Sequence, residues 1–193
     1  MQPHHDGTVL ANPPGTIDSR STAIQAVLVF AFAAGTAIGA QIELPHQPVP
    51  YTLQTFFVLL SAAVLGARKG AVSQLLYLTM GAIGLPVFAH WGAGFAVLAG
   101  PTGGYLLSFP LAALVAGWIV RRNGSMFSTV AGMVCGLLVI FSVGTLQLGL
   151  LYYHDVAGAI VNGFLIFSWW DLLKLAAAVL VARRWSGGSS RRS

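Results

Sequence analysis

The chain has 193 residues, of which 56% are hydrophobic and only 8% charged, with a mean hydropathy of +0.77. That composition excludes a soluble globular domain, which carries about 25% charged residues, and points to a polytopic membrane protein. The net charge of +5 is spread as short clusters between apolar runs, so it reports membrane topology rather than a nucleic-acid partner.

Residues 1–20 contain Pro, Gly, Asp and the pair His4 and His5, and read as a disordered tail rather than as a signal peptide. Apolar segments follow at about 22–41, 53–67, 70–84, 102–120, 126–150 and 169–185. Several reach the length of about 20 residues that a helix needs to cross roughly 30 Å of hydrocarbon. The segments predict a six-helix membrane domain over residues 21–185. Between the first two, IELPHQPVPYT (42–52) holds three prolines and cannot form a regular helix. Residues 85–100 and 151–168 are apolar but broken by Gly, Pro, His or Asn, the pattern of re-entrant or interfacial pieces. Residues 186–193, SGGSSRRS, read as a second flexible tail.

Basic residues orient these segments. Arg20 precedes the first, Arg68 and Lys69 join the second to the third, and Arg121 and Arg122 join the fourth to the fifth. Arg183, Arg184, Arg191 and Arg192 follow the sixth. All nine fall on one side, which the positive-inside rule makes cytoplasmic, with both termini there. The outer side receives Glu43, His46, His90, His154 and Asp155 together with the prolines and the irregular sequence. Irregular backbone at membrane depth survives only where protein or a water-filled cavity covers its polar groups. The expected fold is therefore an all-α integral membrane protein of six transmembrane helices, with cytoplasmic N- and C-termini and irregular outer loops covering a pocket.

Small residues recur four apart, at Gly35 and Gly39, Gly132 and Gly136, and Ala33 and Ala37, a spacing that lets helix backbones approach closely. The same spacing at Ala63–Ala67, Ala112–Ala116 and Ala178–Ala182 makes packing within the chain its ordinary meaning. Cys135 is the single cysteine and by itself forms neither an intramolecular disulfide nor a cysteine metal cluster.

The last segment, WWDLLKLAAAVLVARRW (169–185), carries Asp171 and Lys174 within an apolar run. Lys174 lies about 13 Å along the helix from Arg183, at 1.5 Å per residue, which places both charges in the outer half of the membrane. Charges at depth are costly and face the protein interior or an aqueous cavity, and the i, i+3 spacing puts these two on one face. One reading is a pair that locks the helix. The other is a site with one anionic acceptor and one cationic donor, suited to a small ligand bearing N–H groups and a carboxylate.

Further polar candidates fall on the same side. They are Thr52, Gln54 and Thr55 at the start of the second helix, His90 and Trp91 after the third, Tyr105 at the start of the fourth, and Asn162 before the sixth. Trp169, Trp170, Tyr152 and Tyr153 serve either a pocket wall or an interfacial belt. Neither GxxxxGK[ST], HExxH nor GxSxG occurs, so an enzyme is not expected, nor a cofactor or metal.

Four runs in register carry a family resemblance: PVPYTLQTFFVLLSAAVLG (48–66), LYLTMGAIGLPVFA (76–89), GPTGGYLLSFP (100–110) and DLLK (171–174). Together they resemble BioY, the biotin-specific substrate-binding (S) component of energy-coupling factor (ECF) vitamin transporters, over roughly residues 20–185. The resemblance implies a subunit in a bacterial or archaeal cytoplasmic membrane that captures biotin from outside, with loops 42–52 and 85–100 as lids. Its partners would be a transmembrane T component and two ATPase subunits, unless it works alone. The family's DxxK motif maps to Asp171 and Lys174. Asp171 would accept from the ureido N–H groups of biotin, and Lys174 would donate to the ureido oxygen or to the valerate carboxylate. The family also uses an asparagine and an arginine around the third and fourth helices, and residues 85–109 contain neither. Ala33 and Ala37 match the small residues that face the T component. The competing expectations are an S component for thiamine or riboflavin, and a membrane assembly protein in which Asp171 and Lys174 only pair.

Overall fold

A computed structural model describes residues 19–44, 49–160 and 169–189. The first apolar segment forms α1 (Ser19–Gln41). Its Ile24, Val27, Phe30 and Ile38 are exposed, while Ala33, Thr36 and Ala40 are buried. Large apolar side chains outside and small residues inside reverse the pattern of a soluble helix, as expected where the solvent is lipid and close packing drives association. The proline-rich stretch forms a two-residue ribbon instead of a helix. In it β1 (Glu43–Leu44) pairs antiparallel with β2 (Tyr51–Thr52), Glu43 opposite Thr52 and Leu44 opposite Tyr51.

Two shorter helices follow, α2 (Gln54–Leu65) and α3 (Ala67–Ala82). Gly66 alone joins them at φ +84°, a left-handed angle that a residue without Cβ adopts at little steric cost. Arg68 and Lys69 therefore stand in the first turn of α3, not in the loop the sequence reading gave them. Cations there oppose the helix dipole, so topology rather than helix stability accounts for them.

Beyond α3 a 3₁₀ turn (Ala89–Trp91) and the short α4 (Phe95–Ala99) occupy the interrupted stretch expected at 85–100. The long hairpin of α5 (Gly103–Asn123) and α6 (Met126–Leu148) comes next. Gly124 closes α5 in a left-handed cap, and the Ser125 hydroxyl caps α6 by accepting from the Ser128 N–H at 3.1 Å. A π-helical turn (Gly149–Tyr153) extends α6, and α7 (Val156–Ala159) and α8 (Trp169–Ser189) complete the described chain.

The small-residue pairs are packing devices. A Cβ at Gly132 would lie 2.7 Å from the Ala116 carbonyl oxygen of α5, and one at Gly35 would lie 2.8 Å from the Phe57 ring of α2. Ala112, Ala116 and Ala178 are fully buried. Ala33, expected at a partner interface, is likewise fully buried within the chain, and Ala37 packs against the core beside it. One turn on, Thr36 donates to Gln74 of α3 at 3.2 Å, so this face of α1 turns into the bundle because only small residues let α1 close on α2 and α3.

Thr22–Gln41, Gly103–Asn123 and Met126–Tyr152 are long and apolar enough to cross a membrane. α2 and α3, with 12 and 16 residues, rise only about 18 and 24 Å. α8 matches α5 in length but carries Asp171, Lys174, Arg183 and Arg184. Among the described residues, Arg121, Arg183 and Lys69 stand at one end of the bundle, where Arg121 donates to the Val64 carbonyl, Arg183 to that of Gly124, and Lys69 to the Gln25 side chain. The opposite end holds the ribbon, the 88–91 turn and a cavity.

Candidate ligand-binding site

A cavity of about 240 Å³ lies among the N-terminal turns of α2, α5 and α8, the strand β2, the 88–90 turn and Ile140 and Phe141 of α6. Its size lies just below the roughly 300–1,000 Å³ typical of small-molecule sites. Aromatic and aliphatic side chains make most of the wall, including Phe88, Val97, Tyr105, Phe109 and Phe141. Tyr77 fixes two of them from behind: its ring meets Phe88 edge to face at 5.6 Å and stacks on Phe109 at 6.3 Å. Gly144 lies so close under Tyr105 that a Cβ there would enter the ring.

The polar wall belongs to α8. Asp171 and Lys174 are 2% and 5% exposed, and Lys174 Nζ lies 2.6 Å from Asp171 Oδ1. Lys174 also donates to the Thr52 carbonyl oxygen at 3.0 Å, fastening α8 to β2. The pair thus satisfies part of its own charge, as burial requires, and still presents both residues to the cavity. At the cavity mouth, burial pushes the Tyr51 phenol above its usual pKa, and the Asp171 carboxylate adds to that shift.

Across the cavity, the Thr52 hydroxyl donates to Gln54 Oε1 at 2.7 Å, Gln54 Nε2 donates to the Tyr77 hydroxyl at 2.6 Å, and that hydroxyl donates to the Val87 carbonyl at 3.2 Å. This chain ties α2, α3 and the segment above the cavity into one wall. It leaves the second amide hydrogen of Gln54 for another acceptor. Thr55 Oγ1, also in the wall, is buried without a hydrogen-bond partner among the described residues, a state that costs stability until something satisfies it.

Of the residues singled out in the sequence, Asp171, Lys174, Tyr105, His90, Gln54 and Thr52 line this one cavity. Trp91 does not: its side chain is 69% exposed, because left-handed backbone at His90 and Trp91 turns the chain before Trp91 reaches the wall. Asn162 lies outside the described residues, as do His4, His5 and His46. Phe88, Phe109 and Phe141 were missed. Their signal was only apolar, and no periodicity distinguishes a side chain facing a cavity from one facing a neighbouring helix.

A sequence profile of the BioY family matches residues 14–190. The chain belongs to the BioY family. A Thermotoga maritima protein named Biotin transporter BioY is 46% identical over 153 residues, spanning 79% of this chain and 90% of that protein. A Pyrococcus horikoshii protein named Probable biotin transporter BioY is 41% identical over 162 residues, spanning 84% of this chain and 96% of that one. The fold is similar to a crystal structure of the S-component for biotin from an ECF-type ABC transporter. The TM-score is 0.78 and the identity 22%, over 86% of this chain and 92% of that one. As a BioY family member the chain is a multi-pass membrane protein, and the cavity under its ribbon and 88–91 turn is its candidate binding site.

Proposed function

We propose that the chain is the biotin-binding S component of an ECF-type transporter, a transport subunit and not an enzyme. One observation carries the site assignment: a buried carboxylate–ammonium pair stands in the wall of an otherwise aromatic cavity of about 240 Å³. Biotin has matching chemistry, with two ureido N–H donors beside a carbonyl acceptor, an apolar thiophane ring, and a carboxylate on a valerate tail. Asp171 accepts from a ureido N–H in a charge-assisted hydrogen bond. Lys174, only 2.6 Å from Asp171, donates to the ureido oxygen of the same ring edge. The valerate carboxylate lies too far from that edge for Lys174 to reach both. The fused rings lie among Tyr105, Phe88 and Phe109, with Thr55 and the free amide hydrogen of Gln54 as further hydrogen-bonding groups.

The topology that supports uptake is a six-span bundle with both termini in the cytoplasm, since Lys69, Arg121 and Arg183 stand at the end opposite the cavity. The cavity then opens outward in a bacterial or archaeal cytoplasmic membrane, with β1–β2 and the 88–91 turn as its cover. The partners are a T component and two ATPases. Contact with the T component falls to the exposed Ile24, Val27 and Phe30 of α1 with Ala37 at their edge, and not to Ala33.

Isothermal titration of the purified chain with biotin, thiamine and riboflavin tests the reading. Biotin alone is expected to bind. Binding of thiamine or riboflavin in its place refutes the substrate, and binding of none of the three refutes the capture role.

A further inference from the structure

Two residues outside the cavity wall contact the turn above it. Gln41, the last residue of α1, donates from Nε2 to the Phe88 carbonyl at 2.9 Å and accepts from the Trp91 N–H at 3.2 Å. Two residues on, Glu43 Oε1 meets His90 Nε2 at 3.0 Å, and the glutamate side chain is only 17% exposed. Between these contacts His90 and Trp91 adopt φ of 56° and 57°. Consecutive left-handed backbone at two non-glycine residues is strained and persists only where its surroundings over-determine it. Phe88, Ala89 and His90 line the cavity, whereas Gln41 and Glu43 do not.

The same end of α1 holds the other cover. Glu43 and Leu44 pair with Thr52 and Tyr51, and the Leu53 N–H donates to the Gly39 and Ile42 carbonyls at 3.0 Å each. Tyr51 and Thr52 line the cavity. Residues 39–43 are thus one anchor from which both covers hang. The Phe88 ring, 1% exposed, stays fixed in the core on one side of the turn, and Gly94 at φ +84° supplies a pliable joint on the other.

We propose that Gln41 and Glu43 are positioning residues that clamp the 88–91 turn shut, so that the outer end of α1 sets how fast ligand enters and leaves. The inference rests on reading the cavity as the biotin site. Without the clamp the strained turn relaxes toward ordinary backbone angles and the cover opens more often. The seat of the ligand on Asp171 and Lys174 is untouched. A displacement of α1 acts on both covers at once through the same anchor.

Gln41→Met keeps the size of the side chain and removes both hydrogen bonds; Glu43→Gln removes the charge opposite His90. Hydrogen–deuterium exchange of the ligand-free chain in detergent should show the amides of Phe88, Trp91 and Gly92 exchanging about tenfold faster in Gln41→Met and about threefold faster in Glu43→Gln. Exchange in α5 and α6 should stay unchanged. Unchanged exchange at 88–92 overturns the clamp whether or not the protein binds biotin. Stopped-flow measurement with biotin should show association and release both faster in Gln41→Met, release by about tenfold, with the binding-competent fraction unchanged. A smaller competent fraction with wild-type rates would mean a purely structural role and overturn the gate. Wild-type protein that binds no biotin would instead remove the functional reading and leave the exchange result to decide the clamp.

Discussion

Asp171→Asn combined with Lys174→Met separates ligand binding from folding, which neither single substitution does. In the wild type the two charges are nearly inaccessible and 2.6 Å apart. Lys174→Met alone leaves a buried carboxylate without its cation, at a cost of about 3–5 kcal/mol, whereas replacing both members of a buried pair by neutral groups is often neutral or stabilising. The double variant should therefore unfold within about 1 kcal/mol of the wild type, and the single variant well below it. Binding should behave differently. Two hydrogen bonds from charged groups to biotin, worth about 1.5–3 kcal/mol each, are lost or weakened together, so affinity should fall by about 10² to 10⁴-fold. Thermal unfolding in detergent and titration with biotin on the same preparation measure both quantities. A double variant that binds biotin within threefold of wild type would show that the pair only locks α8. One that unfolds as readily as Lys174→Met would refute the mutual neutralisation on which the argument depends.

Three further substitutions test the cavity wall. Thr55→Val removes the buried hydroxyl that lacks a partner among the described residues; the ligand-free protein should be as stable or slightly more so, and biotin titration should show a loss of about 3–10-fold, one neutral hydrogen bond. Gly144→Ala drives a Cβ into the Tyr105 ring, so thermal unfolding should show about 1–3 kcal/mol of overpacking and titration a weakened affinity as the ring moves into the cavity. Gln54→Leu breaks the Thr52–Gln54–Tyr77 chain, and about 1–3 kcal/mol of stability should be lost on thermal unfolding because the Thr52 hydroxyl and the Tyr77 oxygen lose buried partners.

Much of the fold could be read from the sequence because lipid makes a simple demand: apolar runs must be helical to satisfy their own backbone. The six predicted segments coincide with α1, α2, α3, α5, α6 and α8 to within a few residues, though 186–189 continue α8 where a flexible tail was expected. The joint between α2 and α3 was misplaced, since a single glycine at positive φ leaves no turn signature longer than itself. Asp171 and Lys174 stood out because charge in an apolar helix is expensive and the residues bearing it are few. Aromatic wall residues such as Phe88 and Phe141 did not, because an apolar side chain looks the same in sequence whether it meets a cavity, a helix or lipid.

By itself, then, the sequence determined the membrane class, the helical segments, the charge asymmetry along the bundle and the two costly charges, because each follows from local transfer energetics. Only the tertiary structure decided which small residues turn inward, that Thr52 holds Lys174 from 122 positions away, and that Gln41 at the end of α1 hydrogen-bonds the turn above the cavity. Those contacts join residues distant along the chain, and close packing of helices, rather than any local preference, selects them.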